Sequence, residues 1–116
     1  MRINFDLLRE ILIDIAEHDG SYDLCCCNLV YGDSPRNVIN YHVRLLVLDG
    51  YIKAIDTSDK TGYDYACLEL TLQGQSFLDK IEANTKWAKI KQYLSDNAIN
   101  ITFGAIELAF KAVSHG

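Results

Sequence analysis

Residues able to do chemistry fall into three groups in this chain: histidines and cysteines, the aspartates of one polar stretch, and the arginines and asparagines of one helical segment. His18, His42 and His115 are dispersed. His42 falls on the inward arc of its helix, which predicts a buried imidazole hydrogen-bonded to backbone rather than a catalytic base. Cys25, Cys26 and Cys27 are consecutive, and Cys67 stands apart. Adjacent residues cannot easily turn three sulfurs onto one tetrahedral metal, and no pair has ligand spacing. The four are expected to be reduced, metal-free and small apolar in role. Asp56, Asp59 and Asp64 straddle a turn but lack the spacing and terminal Glu of a calcium loop. No glycine-rich phosphate loop follows a strand. The expectation is therefore a protein without catalytic residues, metal or cofactor, and not an enzyme.

The third group is the informative one. At 100° per residue, Val38, Ile39, His42, Leu45, Leu46 and Asp49 share an inward arc. Arg36, Asn37, Asn40, Arg44, Val47 and Leu48 share the outward arc, with Tyr41 at its edge. Arg pairs bidentately with guanine and Asn with adenine, so Arg36, Asn37, Asn40, Tyr41 and Arg44 are candidate readers of double-stranded DNA. An ordinary solvated face has the same composition. Three features weigh against DNA. Val47 and Leu48 are apolar on that arc. The stretch from Lys53 to Asp64 holds two Lys and three Asp. Residues 21–33 leave little room for both a strand and a second helix.

The elements that position this arc follow from periodicity. Residues 3–18 read as an amphipathic helix with Leu8, Ile11, Leu12 and Ile15 on one stripe and Gly20 as its stop. Residues 21–33 fit either an extended segment or a short helix from Tyr22 to Val30. Ser34 and Pro35 open the next helix as cap and first residue, and Gly50 closes it. Tyr51 to Asp56 and Tyr65 to Leu70 read as strands around a polar turn, with Ala66, Leu68 and Leu70 on one face. Thr71 caps a third helix carrying Gly74, Phe77, Leu78 and Ile81. Asn84 or Thr85 caps a fourth, with Trp87, Ile90 and Leu94 inward. Asn100 or Thr102 caps a last one ending near Val113. The expected fold is α+β: one winged helix-turn-helix domain over residues 1–116, with a two-stranded wing in a core of residues 1–82. Residues 83–116 form a C-terminal helical extension.

The run Asn40-Tyr41-His42-Val43-Arg44-Leu45-Leu46-Val47-Leu48-Asp49-Gly50-Tyr51-Ile52 resembles the recognition-helix signature of arsenical-resistance-type and multiple-antibiotic-resistance-type repressors. Leu70-Thr71-Leu72-Gln73-Gly74 resembles the segment by which such domains leave the wing and begin the next helix. A further resemblance covers nearly the whole chain. It rests on Asp6 through Leu12, Tyr41 through Leu46, Leu70-Thr71, Gly74 through Phe77-Leu78, and Trp87 in a Lys-rich helix. These look like a small domain-of-unknown-function family recurrent in phage and prophage genomes. That resemblance implies a winged-helix fold and a phage or mobile-element setting.

Charge and composition bound the partners. The chain has 116 residues, is 49% hydrophobic and 23% charged, and carries a net charge of −5. That is globular composition, with no apolar run able to span a bilayer and an N-terminus that turns charged at once. A cytoplasmic protein is expected. Residues 1–33 hold two basic and seven acidic residues, and the remainder balances at nine each. Bulk charge therefore does not drive DNA binding. Lys80, Lys86, Lys89 and Lys91 form the most positive stretch, read as a solubilising face. In the last helix Phe103, Ile106, Phe110 and Val113 make a bulky stripe beside a second one of Ala105, Leu108, Ala109 and Ala112. The second stripe needs cover, as do Val47 and Leu48; the last helix can fold back over them or pack on a second chain, and a homodimer through the bulky residues is expected. The leading reading is a phage-associated DNA-binding regulator. The alternative is a winged-helix adaptor that modulates a host or phage protein without binding DNA.

Overall fold

In the computed structural model, which describes residues 3–18 and 24–114, eight elements follow one another. They are α1 (Phe5–Glu17), a 3-10 turn (Cys26–Asn28), α2 (Arg36–Leu48), β1 (Ile52–Asp56), β2 (Tyr65–Leu70), α3 (Leu72–Ile81), α4 (Asn84–Asp96) and α5 (Phe103–Ser114). The chain is thus α+β, with five α-helices and a two-stranded antiparallel sheet among the described residues. It divides into two compact units, residues 1–75 and 76–116.

In the first unit Asn4 starts α1. Its side chain accepts the Leu7 amide at 3.1 Å, satisfying one of the helix's orphan donors. The stripe expected on α1 is fully inward: Leu8, Ile11, Leu12 and Ile15 are buried, joined by Phe5 and Leu7. The expected stop at Gly20 lies outside the described residues. Residues 24–33 form neither of the two structures weighed for them. Leu24 accepts one backbone bond from Leu68 at 3.0 Å, and Cys26–Asn28 make a single 3-10 turn. Helix α2 starts one residue later than expected. Pro35 is its cap, and Ser34 does not cap it.

Helix α2 ends in a Schellman arrangement. Tyr51 donates to the Leu46 carbonyl at 2.9 Å and Gly50 to that of Val47 at 3.1 Å, with Gly50 at φ +79°. The chain then doubles back on itself. Thr71 caps α3, accepting from the Gly74 amide at 3.0 Å while its hydroxyl donates to the Gly50 carbonyl at 2.5 Å. A Cβ built on Gly74 would stand 1.8 Å from the Tyr51 oxygen. This close passage is the physical content of the Thr71–Gly74 sequence.

The hairpin departs from simple alternation. Register shifts between Lys53 and Ile55, opposite Cys67, which takes φ +57°. This is a β-bulge with a non-glycine residue in the left-handed position. The bulge turns the face. Tyr65 and Leu68 are buried, whereas Ala66 and Leu70, expected beside Leu68, are only half-buried. It also frees the Leu68 amide to reach Leu24.

In the second unit α4 and α5 pack together, and Phe77 meets Phe103 edge-on at 5.5 Å. Trp87, Ile90 and Leu94 point inward as their spacing requires. Helix α4 starts at Asn84 with no side-chain cap, whereas Thr102 does cap α5 through the Ala105 amide at 3.0 Å. Ala98 sits at φ +52° after α4, where glycine is the usual residue.

Two substitutions test these backbone constraints. Gly74→Ala should cost about 3 kcal/mol, because the new Cβ meets backbone that cannot yield. Ala98→Gly should stabilise by about 0.5 kcal/mol, since relief of the left-handed strain slightly exceeds the entropy that glycine loses. Thermal unfolding monitored by circular dichroism measures both.

Candidate functional site

Helix α2 carries the residues expected to do chemistry, and the structure sorts them by contact. His42 is fully buried. Its Nε2 accepts the Asn4 amide at 2.8 Å, and its Nδ1 lies 2.7 Å from the Val38 carbonyl. A carbonyl only accepts and an amide only donates, so the ring is the neutral Nδ1–H tautomer. It pins the start of α1 to α2, the structural role expected of it.

The outward arc is narrower than the helical wheel predicts. Asn40, placed outward by its spacing, is 7% exposed. Its Nδ2 donates to the Tyr63 carbonyl at 2.8 Å, tying the hairpin to the helix. Conversely Asp49, placed inward, is exposed, and Leu45 is half-buried. Val43 belongs to the buried face. Leu48 is 63% exposed, as its outward place requires.

Both arginines are engaged within the chain. Arg36 donates through Nη1 to the Cys26 carbonyl and through Nη2 to that of Cys27 at 3.4 Å. Arg44 lays its guanidinium over the Tyr63 ring, 4.3 Å from the centroid. Hydrogen bonding with Tyr65 raises it above its ordinary value.

Arg36, Asn37, Asn40 and Tyr41 nevertheless come together. They form one wall of a groove of about 640 Å³ whose other wall is the hairpin tip: Asp59, Thr61, Gly62, Tyr63 and Asp64, with Cys27 at one side. The tip residues were not singled out for binding by sequence reasoning. The available signal was Tyr63, an aromatic residue set in a polar turn where no core demands one. The tip itself is closed by reciprocal bonds between Asp59 and Gly62 at 3.1 and 3.2 Å. Asp59 Oδ1 accepts from the Thr61 amide at 2.8 Å and hydroxyl at 2.5 Å. These aspartates build turns. No three His, Cys, Asp or Glu residues among those described are placed to hold a metal ion.

Cys26 is buried, and burial pushes its thiol up to about 11, which keeps it neutral at physiological pH. On the second unit, Lys80 pairs with Glu107 at 3.2 Å, and Lys86 and Lys91 lie over Phe110 and Trp87. Of the stripe expected to join two chains, Ile106 is fully buried, and Phe103, Phe110 and Val113 are half-buried. Leu108 is instead the exposed apolar residue of α5. The inward face of α5 is Ala105, Ile106 and Ala109.

Architecture alone defines a small α+β protein with a groove between a helix and a hairpin. Comparison supplies the family. The family model described as "Hypothetical protein (DUF2513)" matches residues 2–100, and the chain belongs to that family. It is 31% identical over 108 residues to an uncharacterized protein of Haemophilus influenzae, covering 92% of this chain and 90% of that one. No solved structure matches.

Turn chemistry at the hairpin tip makes a pH prediction. Hydrogen bonds from Ser58 to Asp56, and from Thr61 to Asp59, hold both carboxyls below their ordinary value of 3.8. A carboxyl lowered in the folded state adds stability above its unfolded pKa and loses it as pH falls through the folded value. The Ser58 and Thr61 amides should therefore be protected from hydrogen exchange at neutral pH. Below about pH 3.8 they should lose protection while Leu46 and Val43 keep theirs.

Proposed function

We propose that this chain is a winged-helix module that binds a segment of another protein in the groove between α2 and the hairpin tip, and that it performs no catalysis. The element order supports the winged-helix reading: helix, a one-bond bridge at Leu24, a short turn, helix α2, hairpin, helix. The 3-10 turn of Cys26–Asn28 stands where a helix-turn-helix pair would have its second helix. The pair is then degenerate.

One observation carries the choice of partner. Arg36 and Arg44, the two cations that a DNA reader would extend to phosphates and guanines, are held by Cys26, Cys27 and Tyr63 of the same chain. Asp59 and Asp64 line the opposite wall of the groove. A polyanion brought to this face meets two carboxylates beside arginines already engaged, which weakens the counterion-release drive of DNA binding. In the bulky stripe of α5 Ile106 is buried and the other three are half-buried, and the partner is taken to be a different protein. A phage-borne modulator acting in the cytoplasm on a host or phage protein suits this reading.

Peptides selected from a display library should shift the amide resonances of Asn37, Tyr41 and Gly62. Mixed-sequence duplex DNA at low salt should leave them in place at micromolar protein. A salt-sensitive DNA complex that Arg36→Ala with Arg44→Ala abolishes would instead establish the regulator reading.

A further inference from the structure

We infer that Cys25 and Cys67 are an oxidisable pair, a modification site at which hydrogen peroxide closes a disulfide between the segment before the 3-10 turn and the β-bulge. The inference is independent of what the groove binds. It starts from backbone pairing. The Leu68 amide donates to the Leu24 carbonyl at 3.0 Å. The Cys67 backbone hydrogen-bonds the Cys25 sulfur, and the Tyr65 backbone that of Cys26. Ascending from residue 24 to 26 therefore means descending from 68 to 65. The two stretches run antiparallel, with the bulge absorbing one residue of β2.

Leu24 and Leu68 are both buried. Side chains alternate along extended chain, so the next residue of each stretch, Cys25 and Cys67, belongs to the opposite face. Both are half-buried, within reach of a small oxidant. Residues facing each other beside a hydrogen-bonded pair have Cα atoms about 4.5 Å apart, inside the roughly 4.4–6.8 Å range of a disulfide. The backbone of Cys67 adds a second observation. Its φ of +57° is one that glycine adopts freely and a residue with a Cβ adopts at a cost. Strain of this kind collects at functional positions, and here the strained residue carries a thiol beside another thiol. The other two cysteines are poorer partners. Cys26 is buried, and although the Cys27 thiol hydrogen-bonds Cys25, joining those two would close a tight ring within one turn.

All four cysteines are free thiols in the resting chain. Burial, and then the neighbouring Cys27, raise the Cys25 thiol above its ordinary value, so it rests protonated at neutral pH. In the oxidation, a thiolate of the pair attacks one peroxide oxygen. The O–O bond breaks, giving a sulfenic acid and a hydroxide that takes up the proton the first thiol lost. The second sulfur attacks the sulfenic sulfur. The S–O bond breaks, the S–S bond forms, and a second water leaves with the second thiol's proton. Two thiols are oxidised by one electron each, and one peroxide is reduced to two waters. The new bond would tie to β2 the segment whose Cys26 and Cys27 carbonyls hold Arg36.

The test treats the reduced full chain, at high dilution, with a modest excess of hydrogen peroxide. Remaining thiols are alkylated, and tryptic peptides are mapped without reductant. Peptides 10–36 and 61–80 should appear joined, with the loss of two hydrogens. The joined species should form about tenfold faster in the folded chain than in urea, because the fold supplies the proximity. Cys27→Ser should keep the link. Cys25→Ser should abolish it, and so should Cys67→Gly, which suits the left-handed backbone and keeps the hairpin folded. A link that survives Cys25→Ser in a chain with native circular dichroism would overturn the inference. So would a bond confined to peptide 10–36, disulfides only between chains, equal rates in urea, or sulfinic acids with no link.

Discussion

The hydrogen bond from the Asn40 side chain to the Tyr63 carbonyl is the constraint on which the functional surface depends. A two-stranded hairpin in water has little stability of its own. The strands of this one are anchored by Ile52, Leu68 and Tyr65, with Tyr51 just before them, which are all buried. Its tip is polar and has no such anchor. The Asn40 amide supplies one, reaching from the middle of α2 to the residue beside the turn. That bond, with Arg44 of the same helix lying over the Tyr63 ring, sets the separation of helix and tip, and so makes a groove out of two surfaces.

The rest of the first unit holds α2 where the bond can form. His42 ties the helix to the start of α1, and Gly50 reverses the chain into β1. Gly74 lets α3 pass against Tyr51. The bulge at Cys67 then rotates β2, so that Tyr65 and Leu68 both enter the core and the Leu68 amide reaches Leu24. Cys67 accepts left-handed geometry, at a cost of about 1–2 kcal/mol for a residue with a Cβ, to make that rotation.

Much of this was legible from residue order. Apolar spacing located the buried stripes of α1 and α4, because a helix with one wet face must repeat at three and four residues. Gly50 and Thr71 marked element boundaries through backbone chemistry that few other residues supply. The buried role of His42 followed from its place among apolar neighbours. Asn40 was misplaced for a physical reason: burial depends on what lies over a helix, and the covering residue is 23 positions away. Arg36 and Arg44 were correctly placed on one helix, but spacing says nothing of the carbonyls and ring that engage them. The bulge was hidden because Cys67 stands where a glycine would have announced it. In α5 two adjacent apolar stripes left the inward direction undetermined by periodicity, and the smaller residues Ala105 and Ala109 took much of it.

A fixed groove, whose tip is held to α2 by the Asn40 amide beside the Arg44–Tyr63 stack, is the central claim. Backbone ¹⁵N relaxation of residues 59–64 in the native chain and in Asn40→Leu measures it directly. The account predicts order parameters near 0.85 for the native tip, falling below about 0.6 when the amide is replaced by an apolar group of similar size. Equal order in the two proteins, with β1 and β2 intact in both, would show that the tip is held by something else and would contradict the account.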